Sequence, residues 1–215
     1  MSWTLPSPSH QSLVAALLPH ALQQEGDGSH DASHLQRVWR NATRIQAAEG
    51  GNTEILLAAA ILHDCVSVEK NSPLRSQASR LAAEKAAKLL TELGWSRAKV
   101  TAVAHAIEAH SFSAGIVPET LEAKILQDAD RLDAIGMIGA ARCFYIAGRL
   151  GSSLYDPRDP EARNRPYDDK RYTIDHFHTK LLKLASGFQT DTGARLAHLR
   201  HERLRRFLDE FMDEI

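Results

Sequence analysis

Cysteine is scarce in this chain. Its 215 residues hold two, Cys65 and Cys143, too few and too far apart for a zinc ribbon or a disulfide framework. A reducing compartment is the reading that follows. An excess of one charge sign is also missing, because Lys+Arg number 26 against 27 Asp+Glu for a net charge of -1. That excludes a global positive field recruiting nucleic acid or an anionic membrane. No apolar run of about 18 residues occurs, and MSWTLPSPSH lacks the basic start and apolar stretch of an export signal. The expectation is a cytoplasmic protein with neither membrane nor nucleic-acid partner. The arginines at 195, 200, 203, 205 and 206 alternate with Glu202, Asp209 and Glu210, which predicts a solvated helix face rather than a nucleic-acid patch. Runs alternating β-branched and polar residues are absent too. What remains, 43% hydrophobic and 25% charged, is ordinary for a globular protein and sufficient for one domain over residues 1–215.

Helical spacing recurs along the chain and predicts an all-α fold. A first segment, about 9–24, is apolar at Leu13, Leu17 and Leu18, with Pro19 expected to kink or break it. A second starts at Ser29 or Asp31 as N-cap and runs to Gly50-Gly51, burying Leu35, Val38, Ala42 and Ile45. The segment TEILLAAAILHDC, capped by Thr53, is apolar almost all round and predicts a central helix. Helices follow over about 77–93, closed by Gly94, and about 96–110. One long helix then begins after Pro118, where Gly136 and Gly139 invite a bend. Residues 151–172 hold three prolines and no apolar period, which marks a loop. Helices of about 173–185 and 191–213 complete the chain, the last facing inward with Leu196, Leu199, Leu204 and Phe207. The core is expected over about 30–150, with the loop and the C-terminal helices packed on it.

Histidine is plentiful, with eleven residues, and it is the commonest metal-binding side chain. His34, the pair His63-Asp64 and Asp130 each lie in or at the end of an apolar helical segment. An unpaired ionisable group there costs several kcal/mol of desolvation, about 2 or more. One divalent ion compensates all four at once, since imidazoles and carboxylates suit manganese, iron, nickel or zinc. Asp128 and Asp130 lie about 200° apart on a helix, so only one of them can face an ion.

The ordered stretches HDASHLQRVWRNA, AAAILHDCVSVEKNSP, AIEAHSFSAGIVP, EAKILQDADRLDAIGMIGAARCF and DDKRYTIDHFHTKLLKL span about residues 30–185. This set resembles the HD-domain superfamily of metal-dependent phosphohydrolases, and more narrowly the small bacterial proteins of the YedJ type. The resemblance implies an all-helical HD bundle with additional C-terminal helices. It also implies one divalent metal on His34, His63, Asp64 and Asp130, and hydrolysis of a phosphate ester or anhydride. The ADRL-type ending of the family motif falls on Asp130. Asp128 is then expected to pair with Lys124 one turn away, and Asp133 to support the ligands. Manganese is the first choice of ion, with magnesium, nickel, cobalt, iron and zinc as alternatives.

A phosphoryl transition state needs positive charge around its oxygens. Lys70, Lys124, Lys180 and Arg37 are the candidate substrate contacts tied to the matched stretches, with Lys183 a weaker one. Asp64 and His110 are the candidate catalytic groups, His110 as general acid or as ligand of a second ion. His105 and His176 have weaker claims, and the loop arginines Arg158, Arg163 and Arg165 are candidates to cover a phosphate. The expected partner is a small phosphorylated molecule, a nucleotide first, acted on by a monomer or homodimer. The alternatives are hydratase or di-iron oxygenase chemistry on a similar scaffold, or a helical binding module without catalysis.

Overall fold

A computed structural model describes residues 7–22, 32–66, 68 and 75–215. Among these every regular element is helical, and the isolated bridge Ser153–Tyr172 is the closest approach to a strand. The described residues fall into two compact units, 1–130 and 131–215. The Ser29 and Asp31 caps expected for the second helix lie outside the described residues.

In the first unit, α1 (Pro8–Ala21), α2 (Ala32–Glu49), α4 (Ala78–Glu92) and α5 (Arg97–Ala109) surround α3 (Thr53–Leu62). Every residue of α3 from Ile55 to Leu62 is buried, as its all-round apolar sequence predicts. Asn52, not Thr53, caps it. The Asn52 side chain accepts from the backbone N–H of Glu54 at 3.0 Å and Ile55 at 3.2 Å, while the Thr53 hydroxyl accepts from Gln46 Nε2 at 2.8 Å. Pro19 does not break α1. It sits in the final turn, where the bond it cannot donate is one of the last the helix would make.

The long helix expected after Pro118 is two helices, α6 (Leu121–Asp133) and α7 (Gly136–Leu150). Ile135 is extended and Gly136 adopts φ +74, a left-handed conformation that glycine takes without a Cβ penalty. A Cβ there would meet Arg200 Cβ at 3.2 Å.

In the second unit, α7 packs on α9 (Asp191–Asp213), which has the bounds its periodicity predicts. Leu196 and Leu204 are buried, but Leu199 is 48% exposed and Leu208 is buried in its place. Leu196, Leu204 and Leu208 fall within about 120° of arc, whereas Leu199 points about 60° beyond its edge. The helix expected over 173–185 is only α8 (Asp175–Thr179) followed by a 3-10 turn, Leu181–Lys183. Lys180 leaves the helical region at φ -135 and ψ -62, and the turn carries Leu181 into a core with Ile174, Phe177, Leu204 and Leu208.

The stretch 151–172 is tied to α8. Arg165 donates to Asp175 Oδ2 at 2.5 Å and Oδ1 at 3.0 Å, and its Nε lies 3.3 Å from Asp156. Its guanidinium also lies 4.5 Å from the Tyr172 ring centroid. Arg165 is therefore occupied as a structural clamp, which removes it from the candidates for covering a phosphate.

Candidate metal centre

Four helices of the first unit deliver the polar cluster. His34 comes from the first turn of α2, His63 caps the C-terminus of α3, Asp64 follows it, His110 caps α5, and Asp130 lies in α6. The rings of His34, His63 and His110 are 1%, 1% and 7% exposed, whereas the carboxylates of Asp64 and Asp130 keep 33% and 29% of their surface. The cluster thus has a buried imidazole floor and an oxygen side open to solvent.

Distances within it suit a shared cation. His34 Nε2 lies 3.2 Å from His63 Nε2, 3.6 Å from Asp64 Oδ2 and 3.5 Å from Asp130 Oδ1. His63 Nε2 lies 3.6 Å from Asp64 Oδ2 and 3.8 Å from Asp130 Oδ1. Donor atoms about 2.1 Å from one ion stand about 3.0–3.4 Å apart, close to these separations. Two overlapping sets could each hold an ion, His34 with His63 and Asp130, and His63 with Asp64 and His110.

The imidazole tautomers follow from their partners. His63 Nδ1 lies 2.9 Å from Ala60 O and His110 Nδ1 lies 2.6 Å from Ile107 O. A carbonyl only accepts, so both Nδ1 atoms carry a proton, and Nε2 is the ring nitrogen each presents to the cluster. Burial, the largest influence, lowers the His63 pKa from 6.5 to about 4 against the pull of Asp64, with His110 and His34 lowering it further and Asp130 raising it. His63 is therefore neutral near pH 7. His34 Nε2 then donates to His63 Nε2.

Asp128, expected to pair with Lys124, lies in the interior of the helix packing. Its carboxylate is completely buried, whereas Lys124 is half-buried. Asp133 is 1% exposed and accepts from Arg142 Nη1 at 3.2 Å. Arg37 lies on α2 one turn after His34 and donates to Ser33 Oγ at 2.8 Å. Lys70 lies outside the described residues, and Lys180 is an exposed residue of the second unit. His105 Nε2 accepts from the backbone N–H of Glu119 at 3.0 Å, and His176 Nδ1 lies 3.0 Å from Asp169. Burial pushes the thiols of Cys65 and Cys143 up to about 11, which leaves them protonated and poorly nucleophilic at neutral pH.

Two buried amides were missed in the sequence. Asn41 Nδ2 donates to Ala129 O at 2.9 Å and Gln127 Nε2 to Ala109 O at 2.7 Å, so each holds the carbonyl just before a cluster residue. The readable signal for Asn41 is an amide on the apolar stripe of Val38, Ala42 and Ile45.

Comparison with known proteins shows the family. The family profile described as HD domain matches residues 31–135. YpgQ of Bacillus subtilis is 32% identical over 198 residues, covering 90% of this chain and 88% of that protein. A crystal structure of YpgQ in complex with ADP is similar at a TM-score of 0.72 with 30% identity, covering 94% of this chain and 97% of that one. An HD-superfamily hydrolase from Bacillus thuringiensis is similar at a TM-score of 0.73 with 31% identity, covering 95% and 97% of the two chains. The likeness extends well beyond the matched motif into both units, and the chain belongs to the HD-domain family.

Proposed function

We propose that the chain is a metal-dependent phosphohydrolase acting on a phosphate ester or anhydride of a small substrate, with a nucleotide as its first candidate. The observation that carries the reading is the His34–His63–Asp64–Asp130 cluster, in which imidazole nitrogens on a dry floor meet carboxylate oxygens that solvent reaches. The likeness to a protein crystallised with ADP supports the choice of nucleotide.

His34 and His63 would hold the ion through Nε2, and Asp64 and Asp130 through one oxygen each. Bound there, a divalent ion supplies Lewis acidity that lowers the pKa of water and offsets charge on phosphoryl oxygens. Asp64 links two parts of the site, because Oδ2 faces the imidazole pair and Oδ1 lies 3.8 Å from His110 Nε2. Since Nδ1 of His110 is committed to Ile107 O, proton transfer at this ring runs through Nε2. It can accept a proton from attacking water or return one to the leaving oxygen. Arg37, Lys124 and Lys70 are the proposed phosphate contacts.

The test is phosphate and pyrophosphate release from nucleotides, sugar phosphates and a chromogenic phosphodiester, with manganese, magnesium, nickel, cobalt and zinc each supplied. Asp130→Ala should lower turnover by about 100-fold or more, while Asp128→Asn should keep wild-type metal affinity. Absence of phosphate and pyrophosphate release under every ion would overturn the reading.

A further inference from the structure

We infer that Asn41 is a positioning residue for the metal set, placing Asp130 against His34 through its buried hydrogen bond to Ala129 O; the inference rests on the metal reading proposed above.

Asn41 is 3% exposed and lies among Val38, Ala42 and Ile45, the buried stripe of α2. An aliphatic side chain is the ordinary occupant of such a position, because an amide there needs a partner for its polar atoms. Its Nδ2 donates at 2.9 Å to the carbonyl of Ala129, the residue immediately before Asp130. Asn41 also lies seven residues after His34, two helical turns, so the two project within about 20° of one another. One face of α2 therefore carries both a ligand and the clamp on the backbone beside a second ligand.

That clamp supplies what apolar packing does not. The buried side of α6 carries Ala123, Ile125, Leu126 and Ala129, whose apolar contact is largely non-directional, and Gln127, whose bond to Ala109 O is directed but lies one turn from Asp130 and reaches α5 rather than α2. Sliding α6 by one residue would move the carboxylate about 1.5 Å along the axis and about 100° around it. Asp130 Oδ1 would then leave its position 3.5 Å from His34 Nε2. A donor on a short side chain aimed at one carbonyl distinguishes these registers, a use of buried polar groups known from helical assemblies.

The experiment measures manganese affinity by calorimetry on the full chain without substrate, alongside the thermal midpoint of the metal-free protein. Asn41→Leu is expected to weaken manganese binding about 10- to 100-fold, the usual effect of losing an outer partner of a ligand. The metal-free midpoint should stay at or above that of the wild type. A purely structural role predicts the reverse, a lowered midpoint with affinity retained, and affinity within about twofold of wild type overturns the inference. Asn41→Asp keeps the shape but removes the donor, and it is judged by the same affinity criterion if the leucine variant does not fold. Failure of wild type to bind manganese, cobalt or zinc removes the metal reading together with this inference. Wild type that binds manganese but hydrolyses no phosphate bond counts against the hydrolase reading alone, and the Asn41 comparison still decides.

Discussion

His63 shows how burial sets chemistry at a single residue. The folded ring is held near pKa 4, chiefly by burial, whereas the unfolded chain returns it to about 6.5. Above pH 6.5 neither state is protonated and nothing is lost. Between 6.5 and 4 the unfolded state takes up a proton that the folded ring refuses, so stability falls on acidification. A shift of this size is worth about 3 kcal/mol by linkage. In chelator-treated protein, lowering the pH from 7.5 to 4.5 should reduce unfolding free energy in urea by about 2–3 kcal/mol more in wild type than in His63→Gln. Equal losses in the two proteins would show that His63 is not the titrating group. The same ring is legible in the sequence as half of the HD pair, but its tautomer is not. That depends on Ala60 O standing 2.9 Å from Nδ1.

Among the elements, α3 has the most direct path from sequence to site. It is short, apolar on every side and surrounded by other helices, so its placement needs a cap that fixes where the first turn begins. Asn52 supplies two bonds there, and its own backbone N–H donates to Glu122 Oε1 at 2.8 Å. Asn52→Ala should cost about 1 kcal/mol of stability, measured by urea denaturation. A change within experimental error would mean that packing alone starts the helix. The boundary between α6 and α7 was the least legible element. The hydrophobic period runs on past Asp133, and two glycines permit either a bend or a break. The left-handed Gly136 and its approach to Arg200 chose the break, and both are properties of the folded second unit.

For the whole molecule, metal and stability are linked. An ion that binds the folded cluster but not the unfolded chain stabilises the fold by about 2.7 kcal/mol at one hundred times its dissociation constant. Manganese added to chelator-treated protein should raise the thermal midpoint by about 5–11 °C, using about 2–4 °C per kcal/mol for a chain of this size. The rise should disappear in Asp130→Ala. An identical rise in that variant would place the ion elsewhere. Among the described residues, no helix is long and apolar enough to cross a membrane.

The all-α class, the bounds of α9 and the buried stripe of α2 could be read from periodicity, because a packed helix repeats its apolar face every 3.6 residues wherever it lies. The ordered motifs likewise singled out His34, His63, Asp64, His110 and Asp130. Tertiary structure decided what those residues do to one another. It turned Asp130 toward the imidazoles and buried Asp128, closed α8 after one short turn, and engaged Arg165 with Asp175. It also set Asn41 under Ala129, a contact between residues 88 positions apart. Periodicity reports which face of a helix is buried. Which carbonyl, ring or carboxylate meets that face is decided only when helices distant in sequence pack together.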